Sequence, residues 1–407
     1  MYRFEQTLAL RHLRSGGWQT LLTVSAVAAG VVVVVFICSM MFGMSSYWTD
    51  YITDIMPSVT VTPKEQIPEP LADARGLTAS RIERQGQQIN RIEDWLRVTE
   101  GIRRIPGVME AAPAVFGRGF ASRGGRQLGT VVYGAEPARL DRVMSVTRYM
   151  ASGRYLDLAG GEIVVSYKLA EELGIGRGDR VRLISSEGRA ESFLVQGLYD
   201  PGNQQENTVF ITLRDAQSLF ATGTAVGSIL VRSDELFQAN AIADRIRSAY
   251  PYKVESWSEL YPSSAAMVSS FGATGLLISA FSLFAASFAI AAVLIVSVLQ
   301  KGKQIGILKS IGAKSGQILR VFLLEGLGIG IIGSTIGALL GTGVSLFVTS
   351  FKAAPHRPGA VTQPIYPCEV TWELITAAIA AAILTTLIAS ALPARRAARL
   401  NPVDVMR

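Results

Sequence analysis

Four stretches of the chain run without a charged residue for long enough to cross a bilayer core, which takes about 20 apolar residues. The first lies between Arg14 and Asp50, with its apolar centre at 21–42 and an unbroken valine run at 31–35. The second fills the gap between Glu259 and Lys301, with its apolar body at 271–299. A third covers 326–351 and continues a helix expected to start near Ile318, and a fourth spans 374–392. Four transmembrane helices are therefore expected. Arg3, Arg11 and Arg14 precede the first span in the manner of a secretion signal. Its apolar body exceeds the roughly 7–15 residues of such signals, and no small-x-small cleavage site precedes Asp50, so it reads as a retained anchor.

Between the first two spans the pattern changes. Pro57, Pro63, Pro68 and Pro70 mark an extended lead-in. Ile82, Ile89, Ile92, Leu96, Ile102 and Ile105 then recur at helical spacing, predicting a long amphipathic helix that stops at Pro106-Gly107. Beyond it the period shortens to that of strands, with candidates at 129–133, 162–166, 180–185, 192–198, 208–212, 227–231 and 252–256. Helices are expected between them at 168–173, 215–220 and 235–250, with glycine-rich turns such as Gly174-Ile-Gly-Arg-Gly178. The fold class that follows is an integral membrane α-helical protein of four transmembrane helices, with a large extracytoplasmic mixed α+β domain, in two lobes, inserted between helices 1 and 2. The expected order is a cytoplasmic segment 1–20, helix 21–44, outer domain 45–265, helix 266–299, cytoplasmic loop 300–317, helix 318–350, outer loop 351–372, helix 373–393 and cytoplasmic tail 394–407.

Composition agrees with a chain partly in lipid: 49% of residues are hydrophobic and 17% charged, against about 25% charged in a soluble protein. The basic residues are unevenly placed. Residues 1–20 carry +2, 300–320 carry +5 and the tail from Pro393 carries +3, together more than the +7 of the whole chain. By the positive-inside rule these three segments belong in the cytoplasm, with both termini inside, as a multi-pass protein of the cell inner membrane. Topology thus accounts for the basic excess, and nucleic acid is not an expected partner.

Candidate chemistry is sparse. Two His and two Cys leave no material for a metal centre or a disulfide scaffold. His12 and His356 stand far from any Ser-Asp pair in the outer domain, so no catalytic set forms and no cofactor or metal site is expected in this chain. Glu171 and Glu172 are neighbours that a helix points apart. Arg118, Arg123 and Arg126 suit a solvated loop or, less readily, an acidic partner. Cys38 and Cys368 fall on the same side of the membrane and are read as free thiols. Glu325, near the start of the third span, is a candidate intramembrane acid that can instead reach the interface or pair with Lys314 or Arg320. Gly328-x-Gly330-x-x-Gly333 spells a dinucleotide fingerprint, but it lies inside a membrane span rather than at a strand-to-helix turn. There it reads as small-residue packing: Gly326, Gly330 and Ser334 form one row, Gly333, Gly337 and Gly341 another, and a neighbouring helix is expected tight against them. Gly312-Ala-Lys-Ser315 lacks the first glycine of a phosphate-binding loop.

The cytoplasmic loop from Gln300 to Arg320 carries an apolar stripe, Ile305, Leu308 and Ile311 with Ile307 alongside, flanked by Lys301, Lys303, Lys309 and Lys314. Such a basic amphipathic helix can lie on anionic lipid or dock in a partner's groove. Gln304-Ile-Gly-Ile-Leu-Lys309-Ser-Ile-Gly-Ala313 resembles the coupling segment of MacB/FtsX-type ABC transporter permeases. The opening at 9–23 and the close from Leu392, with its Pro393-x-x-x-Ala397-x-x-x-x-Pro402 pattern, are similar to the same family. Residues 166–185 and 209–220 look most like the lipoprotein-releasing LolC/LolE permeases.

The resemblance implies an ATPase-coupling site at Lys303, Gln304, Ile305, Gly306, Ile307, Leu308, Lys309, Ile311, Gly312, Ala313 and Lys314, with Gln304 standing where the family usually has Glu. It implies a permease without its own ATPase domain, and ATP and Mg used by a separate cytoplasmic ABC ATPase subunit. A second permease protomer, identical or paralogous, a lipoprotein or other amphiphilic cargo, membrane lipid, and a periplasmic carrier or adaptor complete the implied partners. The implied mechanism is mechanotransmission, with 31–35 and 271–288 as candidate walls of an acyl-chain cavity. Implied alternatives are MacB-like export of peptides or small molecules, and FtsX-like regulation of cell-wall hydrolases.

Overall fold

The computed structural model describes residues 17–64, 91–202, 207–300, 307, 310, 314–352 and 365–399. His12, His356, and the part of the expected amphipathic helix at Ile82 and Ile89 lie outside them. The chain divides into two compact units, 1–48 with 267–353 and 364–407, and 49–266 with 354–363.

The first unit is helical. Its helices are α1 (Gly17–Ile55), α8 (Pro262–Gln300), α9 (Ser315–Thr349) and α10 (Trp372–Arg399). All four are long and apolar enough to span a membrane. At 1.5 Å per residue, the 39 residues of α1 extend about 58 Å, nearly twice the roughly 30 Å hydrocarbon core. A helix this long overruns the membrane, and its last turns belong to the other unit. Val27, Val31, Val34 and Val35 of α1 pack with Ile290, Ile329, Ala338 and the alanine face of α10.

The second unit is a mixed α/β domain with one ten-stranded sheet. Its elements in chain order are β1 (Val59–Thr62), α2 (Trp95–Arg103), β2 (Val108–Arg123), β3 (Arg126–Ala135), α3 (Pro137–Val143), β4 (Met150–Ser152), β5 (Glu162–Ser166), α4 (Tyr167–Leu173), β6 (Arg180–Ser185), β7 (Ala190–Tyr199), β8 (Thr208–Thr212), α5 (Leu213–Leu219), β9 (Ser228–Ser233), α6 (Ala239–Ala249), β10 (Lys253–Ser256) and the one-turn α7 (Trp257–Leu260).

Strand pairings divide the sheet into two lobes that share β2. Its first half pairs with β9, giving the antiparallel order β10-β1-β9-β2. Its second half pairs with β3 and β6, and the chain of pairings β2–β3–β8–β5–β7–β6 returns to β2. Six strands therefore close into a small barrel, which leaves no free edge around its waist. Val132, Ile163, Val165, Val181, Leu183, Phe193, Val195, Val209 and Ile211 fill its core. A second core, around Leu140, Val143, Tyr155, Tyr199 and Phe210, lies on the other face of the shared strands.

The sequence reading needs two corrections here. Of the helix expected from Ile82 to Ile105, the described residues form only α2. Residue 91 has no regular structure, and Ile92 forms an isolated bridge with Val226 that carries it, fully buried, into the sheet edge. β2, the longest strand, is missing from the expected strands, and it carries Arg118 and Arg123, expected in a solvated loop, together with Pro113, Gly117 and Gly119. Ala114 accepts from Gly227 on the β9 side, so the Pro113 nitrogen faces the other way, beyond the end of the β3 ladder that begins at Ala114. Gly119 is required by proximity: a Cβ there would meet the Ile184 carbonyl oxygen of β6 at 2.5 Å.

Candidate functional site

The last turn of α1 holds an acid among apolar neighbours. Tyr51 and Ile52 are buried and Ile55 packs on the second core, which leaves Asp54, only 7% exposed, facing a set of donors. Ser145 Oγ donates to its Oδ1 at 2.8 Å, Arg148 to its Oδ2 at 2.6 Å and Tyr149 Oη to Oδ2 at 3.2 Å. Arg232 of β9 lies 3.6 Å from Oδ1 and also donates to Ser145 Oγ at 3.2 Å. The Asp54 carbonyl accepts from the Ser145 amide at 2.8 Å. Burial, followed by the negative charge of Asp54, pushes the Tyr149 hydroxyl well above its ordinary range, so it remains a donor. Tyr149 also stacks edge-on to Tyr51, with ring centroids 6.4 Å apart.

A buried carboxylate with two arginines is costly unless every lone pair is met, and removing one side of such a pair costs about 3–5 kcal/mol. Here both oxygens are met from a loop and a strand far away in sequence. The last turn of α1 is thereby held within the α/β unit.

The entry to the second membrane helix is tied to the same place. β1, which follows α1, pairs with β10, which precedes α8, and Val59 stands opposite Ser256. The Trp257 amide donates to the Ser58 carbonyl at 2.9 Å, and its indole to Leu236 O at 3.0 Å. Ser256 and Glu259 form a capping box that starts the turn. Four ladder pairs, from Val59 opposite Ser256 to Thr62 opposite Lys253, join the two strands.

Within the helical unit, α9 approaches two neighbours along two glycine rows. A Cβ on Gly326 would stand 2.7 Å from Ser390 of α10, and one on Gly330 would stand 3.2 Å from Thr386. Gly333, Gly337 and Gly341 face α1 instead: added Cβ atoms would stand 2.7 Å from Val27, 2.6 Å from the Ala28 carbonyl and 2.9 Å from Val35. Ser39 and Ser345 share a hydrogen bond of 2.8 Å further along α1 and α9. Val31, Val34 and Val35 are consumed by this contact, which removes them from any open cavity wall, whereas Phe281, Phe284 and Phe288 of α8 are more than 60% exposed. Glu325 is buried in the bundle, at 3% exposure, and does not sit at its surface. Cys38 and Cys368 are both free, and Cys38 Sγ lies 2.9 Å from Ser279 Oγ.

Of the expected coupling residues, Ile307 and Lys314 are described. Ile307 is helical and 51% exposed, and Ser310 Oγ donates to its carbonyl at 2.8 Å. Lys314 is exposed just before α9, its amide donating to Gln317 Oε1 at 3.0 Å. Lys303, Gln304, Ile305, Gly306, Leu308, Lys309, Ile311, Gly312 and Ala313 lie outside the described residues.

Residues 20–249 match the MacB-like periplasmic core domain and 276–402 the FtsX-like permease C-terminal domain. The chain is an ABC transporter permease of the MacB/FtsX type. This permease is 24% identical to an uncharacterized ABC transporter permease of Methanocaldococcus jannaschii, over 98% of this chain and 97% of that one. It is 22% identical to the lipoprotein-releasing system transmembrane protein LolC of Neisseria meningitidis, over the full length of both. It is 28% identical to the macrolide export ATP-binding/permease protein MacB of Chromobacterium violaceum, over 50% of this chain and 28% of that one. Permeases of this family work in ABC transporters alongside a cytoplasmic ATPase.

The Asp54 clamp was missed in the sequence reading. An acid beside Ile52 and Ile55 was the available signal, but its partners at 145, 148, 149 and 232 share no spacing with it.

Proposed function

We propose that this permease works by mechanotransmission: a separate ATPase pushes on the basic loop at 300–317, and α1 and α8 carry the motion to an extracytoplasmic α/β domain inserted between them. The carrying observation is the Asp54 clamp on a helix that runs unbroken from a membrane-length apolar segment. A helix is stiff along its axis, and a charge-locked end converts tilt into displacement of whatever it grips. On this reading both termini and the loop are cytoplasmic, two permease protomers associate, and the partner ATPase holds the ATP and Mg.

The preferred cargo is a lipoprotein or similar amphiphile released from the inner membrane, handed to a periplasmic carrier. The full-length similarity to LolC and the exposed aromatic face of α8 support this choice. Macrolide-type export is the second reading, favoured by the higher identity to MacB over half the chain.

The test is the reconstituted complex of permease and ATPase in vesicles loaded with a triacylated lipoprotein. Asp54→Asn keeps the shape and one acceptor but removes the charge. ATP hydrolysis should persist while lipoprotein release falls at least tenfold. Unchanged release would refute transmission through this joint. Leu308→Asp should instead abolish ATPase association in a pull-down with the permease still in the membrane.

A further inference from the structure

The second half of β2 presents an outward face that neither core uses. Phe116, Arg118 and Phe120 are two residues apart and so share one side of the strand, and the two rings remain 48% and 45% exposed. Opposite them on β3 stand Tyr133, Val131 and Gly129. Gly129 leaves open space where a side chain would stand, and beside it lies a cleft of about 590 Å³ whose lining adds Lys168 of α4 and Asn207. Clefts of roughly 300–1,000 Å³ hold small organic ligands.

The chemistry of the lining is one-sided. Among the described residues it holds two cations, Arg118 and Lys168, and no acidic side chain. Arg118 makes no hydrogen bond or ion pair among the described residues, so a full guanidinium fork is open to a carboxylate. Phe120 and Val131 supply the apolar part. Asn207 makes the wall rigid: its carbonyl accepts from Thr130 Oγ1 at 2.7 Å and from the Val131 amide at 2.8 Å, and its side-chain amide donates to Gly129 O at 3.2 Å. Its Oδ1 is shielded there with no donor among the described residues.

We propose that this cleft binds an organic anion, a carboxylate carried on an aromatic or short aliphatic body. The carboxylate is held by Arg118 and Lys168, and the apolar body lies against Phe120 and Val131 over Gly129. The site belongs to the barrel lobe alone and does not depend on which cargo the transporter moves.

The probe is 4-phenylbutyrate, followed by saturation-transfer NMR on the full chain in lipid nanodiscs, with 4-phenylbutan-1-ol as the uncharged comparator. Saturable binding of the acid is expected, at least tenfold tighter than that of the alcohol. Arg118→Glu and Lys168→Glu should each weaken it at least tenfold; both residues are exposed, so the cores stay intact. Gly129→Trp, which fills the cleft, should abolish it. Equal binding of acid and alcohol, binding unchanged in all three variants, or no saturable binding of the acid would each overturn the proposal.

Discussion

In the helical unit the helices approach closely where side chains are missing: Gly333, Gly337 and Gly341 let α1 lie against the backbone of α9. In the α/β unit close approaches at glycines such as Gly119 and Gly134 are joined by cores of large side chains, such as Phe193 and Phe210, and by buried acids paired with two arginines each, Asp54 and Glu110. The contrast follows from the surroundings. Lipid is as apolar as leucine, so burying leucine there gains little, and association rests on van der Waals contact between closely packed backbones. Water rewards burial of each large apolar side chain by about 1.5–3 kcal/mol, which favours bulky cores and tolerates a buried carboxylate only where donors surround it.

That contrast can be broken by single substitutions. The largest effect is expected at Phe193, 1% exposed in the barrel. Phe193→Ala should cost about 4 kcal/mol through lost burial and the cavity left behind, read as faster amide exchange throughout the barrel strands with the helices unaffected. Asp54→Ala should follow at about 3 kcal/mol, because Arg148 and Arg232 then lose a common buried partner. Its signature is local: exchange should rise at 49–55 and 145–149 before the barrel responds.

Gly337→Ala should cost about 2 kcal/mol, since the new methyl meets the Ala28 carbonyl, which cannot rotate away. A lower thermal midpoint of the bundle in nanodiscs, with the α/β exchange pattern intact, is the expected result.

The smallest effect is one of pH. The Gly176 amide, at 2.8 Å, and the Arg123 guanidinium, at 2.9 Å, hold the Asp179 carboxyl below its ordinary range. A lowered folded pKa means the link contributes fully above the unfolded aspartate value, about 3.9, and is lost as pH falls through the folded value. Exchange protection at Gly176 should therefore hold to lower pH in the parent than in Arg123→Ala. Equal profiles would show that the amide alone sets the carboxyl.

Much of this architecture is legible without coordinates. Uncharged runs mark the four spans because nothing else in a globular chain needs so long a stretch without charge. The strands at 162–166, 180–185 and 208–212 coincide with β5, β6 and β8, since alternating β-branched residues between glycine turns leave few other conformations. β2 was hidden because its stability comes from three different partners along its length rather than from its own residues. Among the described residues the helix expected at 82–105 begins only at Trp95, because Ile92, which fits its period, is claimed by a bridge to Val226.

Local pattern thus determined which segments are apolar, which are strands, and where two rows of glycine run along one helix, because each of these is a property of residues close together in the chain. Only the tertiary structure decided that six strands close into a barrel, that one glycine row meets α10 and the other α1, and that Asp54 is gripped by Ser145, Arg148, Tyr149 and Arg232. Those outcomes depend on contacts between residues tens to hundreds apart, where the free energy of a pairing is set by what else has already packed around it.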